Sequence, residues 1–344
     1  MKYFNVLLLT IFLLLITISV NAQSSNYNIV NKWSIPGEGG WDLLTTDDSA
    51  NRLYISHGSS VQIIDCNTGT VLGTISDLKG VHGVAVAPRY NKGFISCGRD
   101  TSVVVFNLKT FEITDRIKIT GSNPDAIIYD PYSKNVYDFN GGSSDITVIS
   151  AKNDKVLKTI ALTGKPELPV TDGKGRIYFN LEDKSEVSSI TTKGLKVSKT
   201  WSIAPGEEPT GLAIDVKKNR LFSVCGNNLM VISNAKTGSV VTTMPIGKGP
   251  DGADFDPTYK RAYSSNGEGT LTVVQSGSKD NYTVLENFST QKGARTIAVN
   301  KKTHHIYLPA ADYDPAPEKT ADNPNPRPKI RAGSFVILDI VPVK

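Results

Sequence analysis

Apolar and polar residues alternate along this chain in runs of about five, rich in Val, Ile and Thr, and the runs are broken by turns such as Asn67-Thr68-Gly69, Thr237-Gly238 and Asp172-Gly173. That two-residue period is the signature of half-buried strands, and no segment keeps a helical period over a useful length. The pattern also repeats. An aromatic recurs inside a short apolar run at Tyr54, Phe94, Tyr137, Tyr178, Phe222, Tyr263 and Tyr307, at intervals of 40, 43, 41, 44, 41 and 44 residues. A second landmark tracks it, a β-branched run ending in a small polar residue, as in VQIID from Val61, VVVFN from Val103, ITVIS from Ile146 and LTVVQ from Leu271.

Four short strands in a unit of roughly 40 to 45 residues make a propeller blade, whereas a β-helix needs shorter repeats and helical solenoids need a 3.6-residue spacing. The expected fold is all-β, a seven-bladed β-propeller with four antiparallel strands per blade, as one domain over residues 23–344. Asn28 to Ile35 matches the fourth strand of a blade, and the chain ends just after a third strand at Phe335 to Ile340. The N-terminal strand is therefore expected to complete the last blade and so hide both sheet edges.

The units resemble YVTN-family β-propeller repeats, and the whole chain is similar to YncE-like periplasmic seven-bladed propellers. The matching stretches are VYDFNG from Val136, AYSSNG from Ala262, the Lys-Thr-Gly turn at Lys236, and the Asn-Pro-Asp and Gly-Pro-Asp openings at Asn123 and Gly249. The motif is degenerate in RLYISHG from Arg52 and RIYFNLE from Arg176. The resemblance implies fold and compartment but no particular activity, because function lives in the site grafted on the fold.

The first residues point to the same compartment. Lys2 gives a basic start, Val6 to Val20 is almost purely apolar, and Val20, Asn21 and Ala22 offer a small-residue cleavage site. A signal peptide over 1–22, cut before Gln23, predicts a secreted or bacterial periplasmic protein with no membrane span in the mature chain. Three cysteines, Cys66, Cys97 and Cys225, are too few to be a disulfide scaffold, and buried free thiols are expected. The sequons at Asn281 and Asn287 are then expected to be unused. The net charge is +5, but the lysines are scattered rather than gathered into a stripe, which argues against nucleic acid as a partner. A monomer meeting a small-molecule ligand or an envelope protein partner is the expectation.

In a propeller the first strand of each blade lines the channel and the second returns beside it, so residues opening strand one and residues closing strand two share one face. Aligning the units gives a first set of Asp42, Gly83 beside His82, Asp125, Glu167, Thr210 following Glu208, Asp251 and Arg295. The second set is His57, Cys97, Asn140, Leu181 flanked by Asn180 and Glu182, Cys225, Asn266 and Ala310. Like charges about 8 Å apart around such a ring repel by roughly 2 kcal/mol at an effective dielectric near 20. Arg295 is expected to offset both Asp251 and Asp42, which leaves Asp125 and Glu167 to hold a cation or to share a proton. Asn140, Asn180 and Glu208 suit a hard ion such as Ca²⁺ or Mg²⁺, and His82 a softer one. The plainer alternative is that Asp125 and Glu167 cap the turns after Pro124 and Pro166.

About twenty extra residues between Leu308 and Gly333 carry six prolines, and loops of this length are usually functional or disordered. The insertion, 309–333, is expected to project from the polar end, as a flap or as a docking surface, with Asp312, Tyr313 and Arg327 as contact residues. Several motifs are declined. Gly247 to Gly252 matches the dinucleotide fingerprint, but it contains Pro250 and leads into a strand, so no helix N-terminus receives a pyrophosphate and no nucleotide is expected. Without CxxCH there is no haem attachment, and His304-His305 reads as a solvated turn on the opposite face. Three readings remain: a non-enzymatic binding propeller with Asp42, His57, His82, Asn140, Asn180, Glu208, Asp251, Asn266, Arg295 and Asp312 around its mouth, a metal-dependent lactonase- or lyase-like enzyme, or a chaperone-like partner for a redox or cell-envelope complex that needs no cation. In the second, Asp125 and Glu167 hold the ion and His57 or His82 moves a proton.

Overall fold

The computed structural model describes residues 25–320, 324 and 326–343; the expected signal peptide lies outside them. Among the described residues there are seven four-stranded antiparallel sheets, and the helical elements are two single turns of three residues each. Blade one runs through Trp41–Asp47, Arg52–His57, Ser60–Asp65 and Val71–Ile75. The following blades open with Val81–Ala87, Pro124–Asp130, Pro166–Thr171, Pro209–Asp215 and Pro250–Asp256, and the seventh with the short strand Ala298–Val299. These first strands touch one another from blade to blade around a closed circle, so they line the central channel. No helix of the described residues is long and apolar enough to cross a membrane.

Closure is as expected. The strand Tyr27–Ser34 pairs antiparallel with Val336–Pro342, Tyr27 opposite Pro342 and Ser34 opposite Val336, and becomes the outer strand of blade seven. Tyr27 is fully buried at that seam, its ring edge-on to Tyr263 of blade six with centroids 6.2 Å apart.

The core lies between blades, where the two faces of each sheet bury apolar side chains; the cluster joining blades one and two, for instance, contains Tyr54, Ile63, Ile95 and Phe106. Two polar devices recur inside it. At the end of most first strands a buried side chain receives the backbone N–H groups of the turn that follows. Asp47 takes those of Ser49 and Ala50 at 3.0 and 3.1 Å, Asp256 those of Thr258 and Tyr259 at 2.8 and 3.1 Å, and Asn300 those of Lys302 and Thr303 at 3.0 Å each. Near the end of several second strands, a polar side chain crosses to the next blade and donates to a carbonyl of its first strand. Ser56 reaches His82 O at 2.5 Å, Asn180 reaches Thr210 O at 2.9 Å, Ser265 reaches Arg295 O at 2.6 Å, and Ser96 likewise reaches Asp125 O. These bonds hold His82, Asp125, Thr210 and Arg295 at equivalent places at the mouth.

Candidate functional site

Strand register decides which side chains stand at the mouth. Trp41 pairs with His57, Val81 with Cys97, Pro124 with Asn140, Pro166 with Leu181, Pro209 with Cys225 and Pro250 with Asn266. The next residue along is therefore Asp42, His82, Asp125, Glu167, Thr210 or Asp251, with Arg295 at the matching interblade bond of blade seven. The sequence alignment had put Gly83 at this position; the register puts His82 there.

The second set does not reach the mouth. His57, Asn140, Asn180 and Asn266 are at most 2% exposed, because each is an interior pairing position of its sheet. Asn140 donates to Asp145 Oδ1 at 2.7 Å and Thr147 Oγ1 at 3.0 Å, and Asn266 to the hydroxyls of Thr270 and Thr272 at 3.0 Å each. Asn180 spends its amide on the interblade bond and accepts from Ser223 Oγ at 2.9 Å. His57 is paired through Nδ1 with Gln62 Oε1 at 2.9 Å and its ring lies 4.1 Å from that of Phe335; burial holds its pKa below the ordinary range against the raising pull of Gln62 and the Gly39 backbone. Asn140 and Asn266 thus bind within their own blades and Asn180 ties its blade to the next, while His57 lines a separate cavity of 390 Å³ with Gly37, Lys329 and Phe335.

The charges of the mouth are also paired differently from the expectation. Arg295 binds Asp251 alone. Asp42 turns instead to blade two, where its Oδ2 lies 2.6 Å from His82 Nδ1. Glu167 is not unpartnered: Lys165 Nζ lies 2.8 Å from its Oε1 and also binds Glu182. Asp125 approaches the same ring nitrogen, its Oδ1 3.6 Å from His82 Nδ1. Asp125 and Glu167 thus each have a nearby cationic partner, His82 and Lys165, and among the described residues neither carboxylate receives a backbone N–H in the manner of a turn cap.

The resulting cluster is Asp42, His82 and Asp125, from blades one, two and three, each offering one ligand atom within 4.8 Å of the others. Burial alone would lower the His82 pKa, but the Asp42 hydrogen bond and the charges of Asp125 and Asp42 outweigh it, and the imidazolium is held above its ordinary range. Burial raises the Asp125 carboxyl in spite of His82. Glu167 is pushed up to about 7, mainly by burial, with Lys165 opposing. A cavity of 810 Å³ opens beside the cluster, lined by Asp42 and His82 together with Trp41, Lys79, Arg99 and Asn123. Sequence reasoning missed Lys79, Arg99 and Asn123 because they sit in turns, Lys79 and Asn123 before a first strand and Arg99 after a second, outside the aligned positions.

Glu208 and Asp312 stand apart from this cluster. Glu208 is exposed, with φ of +49° and its N–H donating to Ser185 Oγ at 3.2 Å, and Asp312 accepts from Gln291 Nε2 at 2.9 Å. The stem of the insertion is a small paired arm: Tyr313 bridges Ile330, and Asp312 and Asp314 exchange backbone bonds with Arg331 and Lys329. The arm packs on Trp41, whose ring centroid is 6.4 Å from that of Tyr313, so it lies at the same end as the cluster. Arg327 lines a separate cavity beside Tyr313 and Lys292. At the opposite end, His304 and His305 do lie on a turn, but each is tied to a carboxylate, Asp256 at 2.7 Å and Asp339 at 2.6 Å.

Neither a protein-family model nor a curated protein matches the chain. Among solved structures it is similar to the hydrazine synthase of Kuenenia stuttgartiensis, at a TM-score of 0.68 and 18% identity, covering 78% of this chain and 92% of the other. At that identity the likeness speaks for the propeller fold alone.

Proposed function

We propose that this protein is a ligand-binding β-propeller of the bacterial cell envelope, non-enzymatic, whose binding site is the sector of the mouth built by blades one to three. The observation that carries this reading is convergence: Asp42, His82 and Asp125 come from three separate blades and meet within 4.8 Å, and Asp42 and His82 line an 810 Å³ cavity beside them, a size within the range of small-molecule sites. Repeats of the YVTN type and an apolar N-terminal segment support the compartment. The test is a ligand-screening melt on the mature protein. A hit that raises the melting temperature of the wild type, and fails to do so in Asp42→Asn and Asp125→Asn, supports the reading; a hit unaffected by both substitutions places the ligand elsewhere.

A second reading is favoured by the 4.8 Å grouping of two carboxylates and an imidazole, a donor set that suits Zn²⁺ or Mn²⁺ better than Ca²⁺. Donors of one such ion, bonded at about 2.1 Å, sit roughly 3 Å or more apart. The 2.6 Å between Asp42 and His82 is instead a proton-bridged distance, and an ion would have to displace that proton. Such an ion would supply Lewis-acid chemistry for a lactonase- or lyase-like reaction. Elemental analysis after dialysis, with turnover of a lactone panel in Zn²⁺, Mn²⁺, Mg²⁺ or Ca²⁺, tests it; stoichiometric metal and activity lost in Asp125→Asn would favour the enzyme.

A further inference from the structure

The cavity beside the Asp42–His82–Asp125 cluster has a cationic wall that the fold does not neutralise. Lys79 precedes the first strand of blade two and Arg99 follows its second strand, and the Arg99 N–H donates to Lys79 O at 3.1 Å. The two positions are thus held side by side at the cavity they both line. Among the described residues neither side chain makes an ion pair or a hydrogen bond, whereas the mouth cations Lys165 and Arg295 are tied to Glu167 with Glu182 and to Asp251.

Two further groups converge on the same space. A Cβ placed on Gly98 would meet His82 Nε2 at 2.8 Å and Asn123 Oδ1 at 2.6 Å, so both atoms front the bare backbone of that glycine. His82 is paired through Nδ1, and among the described residues its Nε2 makes no hydrogen bond. Opposite the polar groups the wall is apolar: Trp41, Leu78 and Val81 are 8%, 1% and 7% exposed. The two carboxylates of the cluster would repel an anion, but protonated His82, its Nδ1 2.6 Å from Asp42 and 3.6 Å from Asp125, offsets one of the two charges, and Lys79 with Arg99 outweighs the other.

Resting on the mouth reading above, we propose that this cavity binds a small organic oxyanion, a carboxylate or phosphate carried on an apolar body, with Arg99 and Lys79 holding the anionic group. A guanidinium presents a planar fork that matches such oxyanions with two parallel hydrogen bonds, and a neighbouring ammonium adds a point charge. The apolar body then lies against the parts of Trp41, Leu78 and Val81 that line the cavity.

Calorimetric titration of the mature protein with benzoate and phenyl phosphate, and with phenol as the neutral control, tests this. The expected result is that at least one anion binds tenfold or more tighter than phenol, the stronger of the two identifying the carboxylate or the phosphate source. Arg99→Gln and Lys79→Gln should each weaken that anion at least fivefold. Both residues are exposed, so the melting temperature should not change. The inference is overturned if phenol binds as well as the anions, if neither anion binds, or if the double substitution keeps the wild-type affinity. A neutral ligand lost in Asp42→Asn would leave the binding mouth intact while overturning its anion preference.

Discussion

Asp42 Oδ2 and His82 Nδ1 lie 2.6 Å apart although 40 positions separate them in the chain. That separation is one repeat, so the contact is a product of the blade period: two residues at the same strand position in consecutive blades become neighbours around the channel. The same rule brings Asp125 Oδ1 to 3.6 Å from the same nitrogen, and the chemistry of the mouth depends on this juxtaposition.

The His82 pKa should therefore be set by its neighbours. Because its folded value is raised above the unfolded one, the stabilisation it contributes is fully present below the unfolded value near 6.5 and is lost as pH rises through the folded value. Imidazole resonances followed by NMR should show His82 titrating above the ordinary range, and Asp42→Asn should lower that value. The melting temperature of the wild type should fall across the same interval, and by less in Asp42→Asn. An imidazole unaffected by the substitution would mean that the bridge does not form in solution.

All three cysteines are buried and unpaired, and burial pushes each thiol up to about 12. The reactive form is the thiolate, so the folded protein should be inert to thiol reagents near neutral pH. Ellman's reagent should detect no thiols in the native protein and three in guanidinium. Any fast-reacting native thiol would contradict the packing of that blade.

The blade count, the strand count and the closing strand were legible in the sequence because they follow from a period of about 42 residues and from hydrophobic alternation, which Tyr54 through Tyr307 display in every unit. The mouth was legible only in part. Asp42, His82 and Asp125 could be placed near one another by alignment, but a one-residue difference decided whether His82 or Gly83 stood in the ring, and that is fixed by pairing of Val81 with Cys97. Asn140, Asn180 and Asn266 looked like mouth residues because a polar side chain in a strand reads as exposed; here each satisfies buried partners instead. Partners such as Lys165 for Glu167 lie in turns, where no repeat pattern marks them.

Ring closure makes the seam between blades six and seven sensitive to Tyr27. Its ring is fully buried against Tyr263, and its hydroxyl accepts from Arg261 Nη1 at 2.7 Å. Tyr27→Ala should cost about 3–5 kcal/mol of unfolding free energy by urea titration, as for other large aromatics removed from a core. Ile29, two residues along the same strand, is 43% exposed, and Ile29→Ala should change stability by no more than about 0.5 kcal/mol. Equal effects would show that strand pairing, and not the tyrosine, secures the closure.

Asp138 presents the opposite case, a polar group that the fold tolerates at a cost. It is fully buried in the second strand of blade three, and neither carboxylate oxygen has a hydrogen-bond partner. Its register partner is Ile127; the matching positions in blades one and two are Ile55 and Ile95, which face Leu44 and Val84. Burial, reinforced by the charges of Asp125 and Asp145, raises the Asp138 pKa well above the ordinary carboxylate range. Since the folded value exceeds the unfolded one, stability should be lost as pH climbs from the unfolded value near 4 through the folded value. Asp138→Val removes the carboxyl with little change of volume and should stabilise the protein by about 1–3 kcal/mol near neutral pH. It should also flatten the decline in urea midpoint with pH above 4. A Val variant no more stable than the wild type would mean that the carboxyl has a partner, such as a buried water, that supports it.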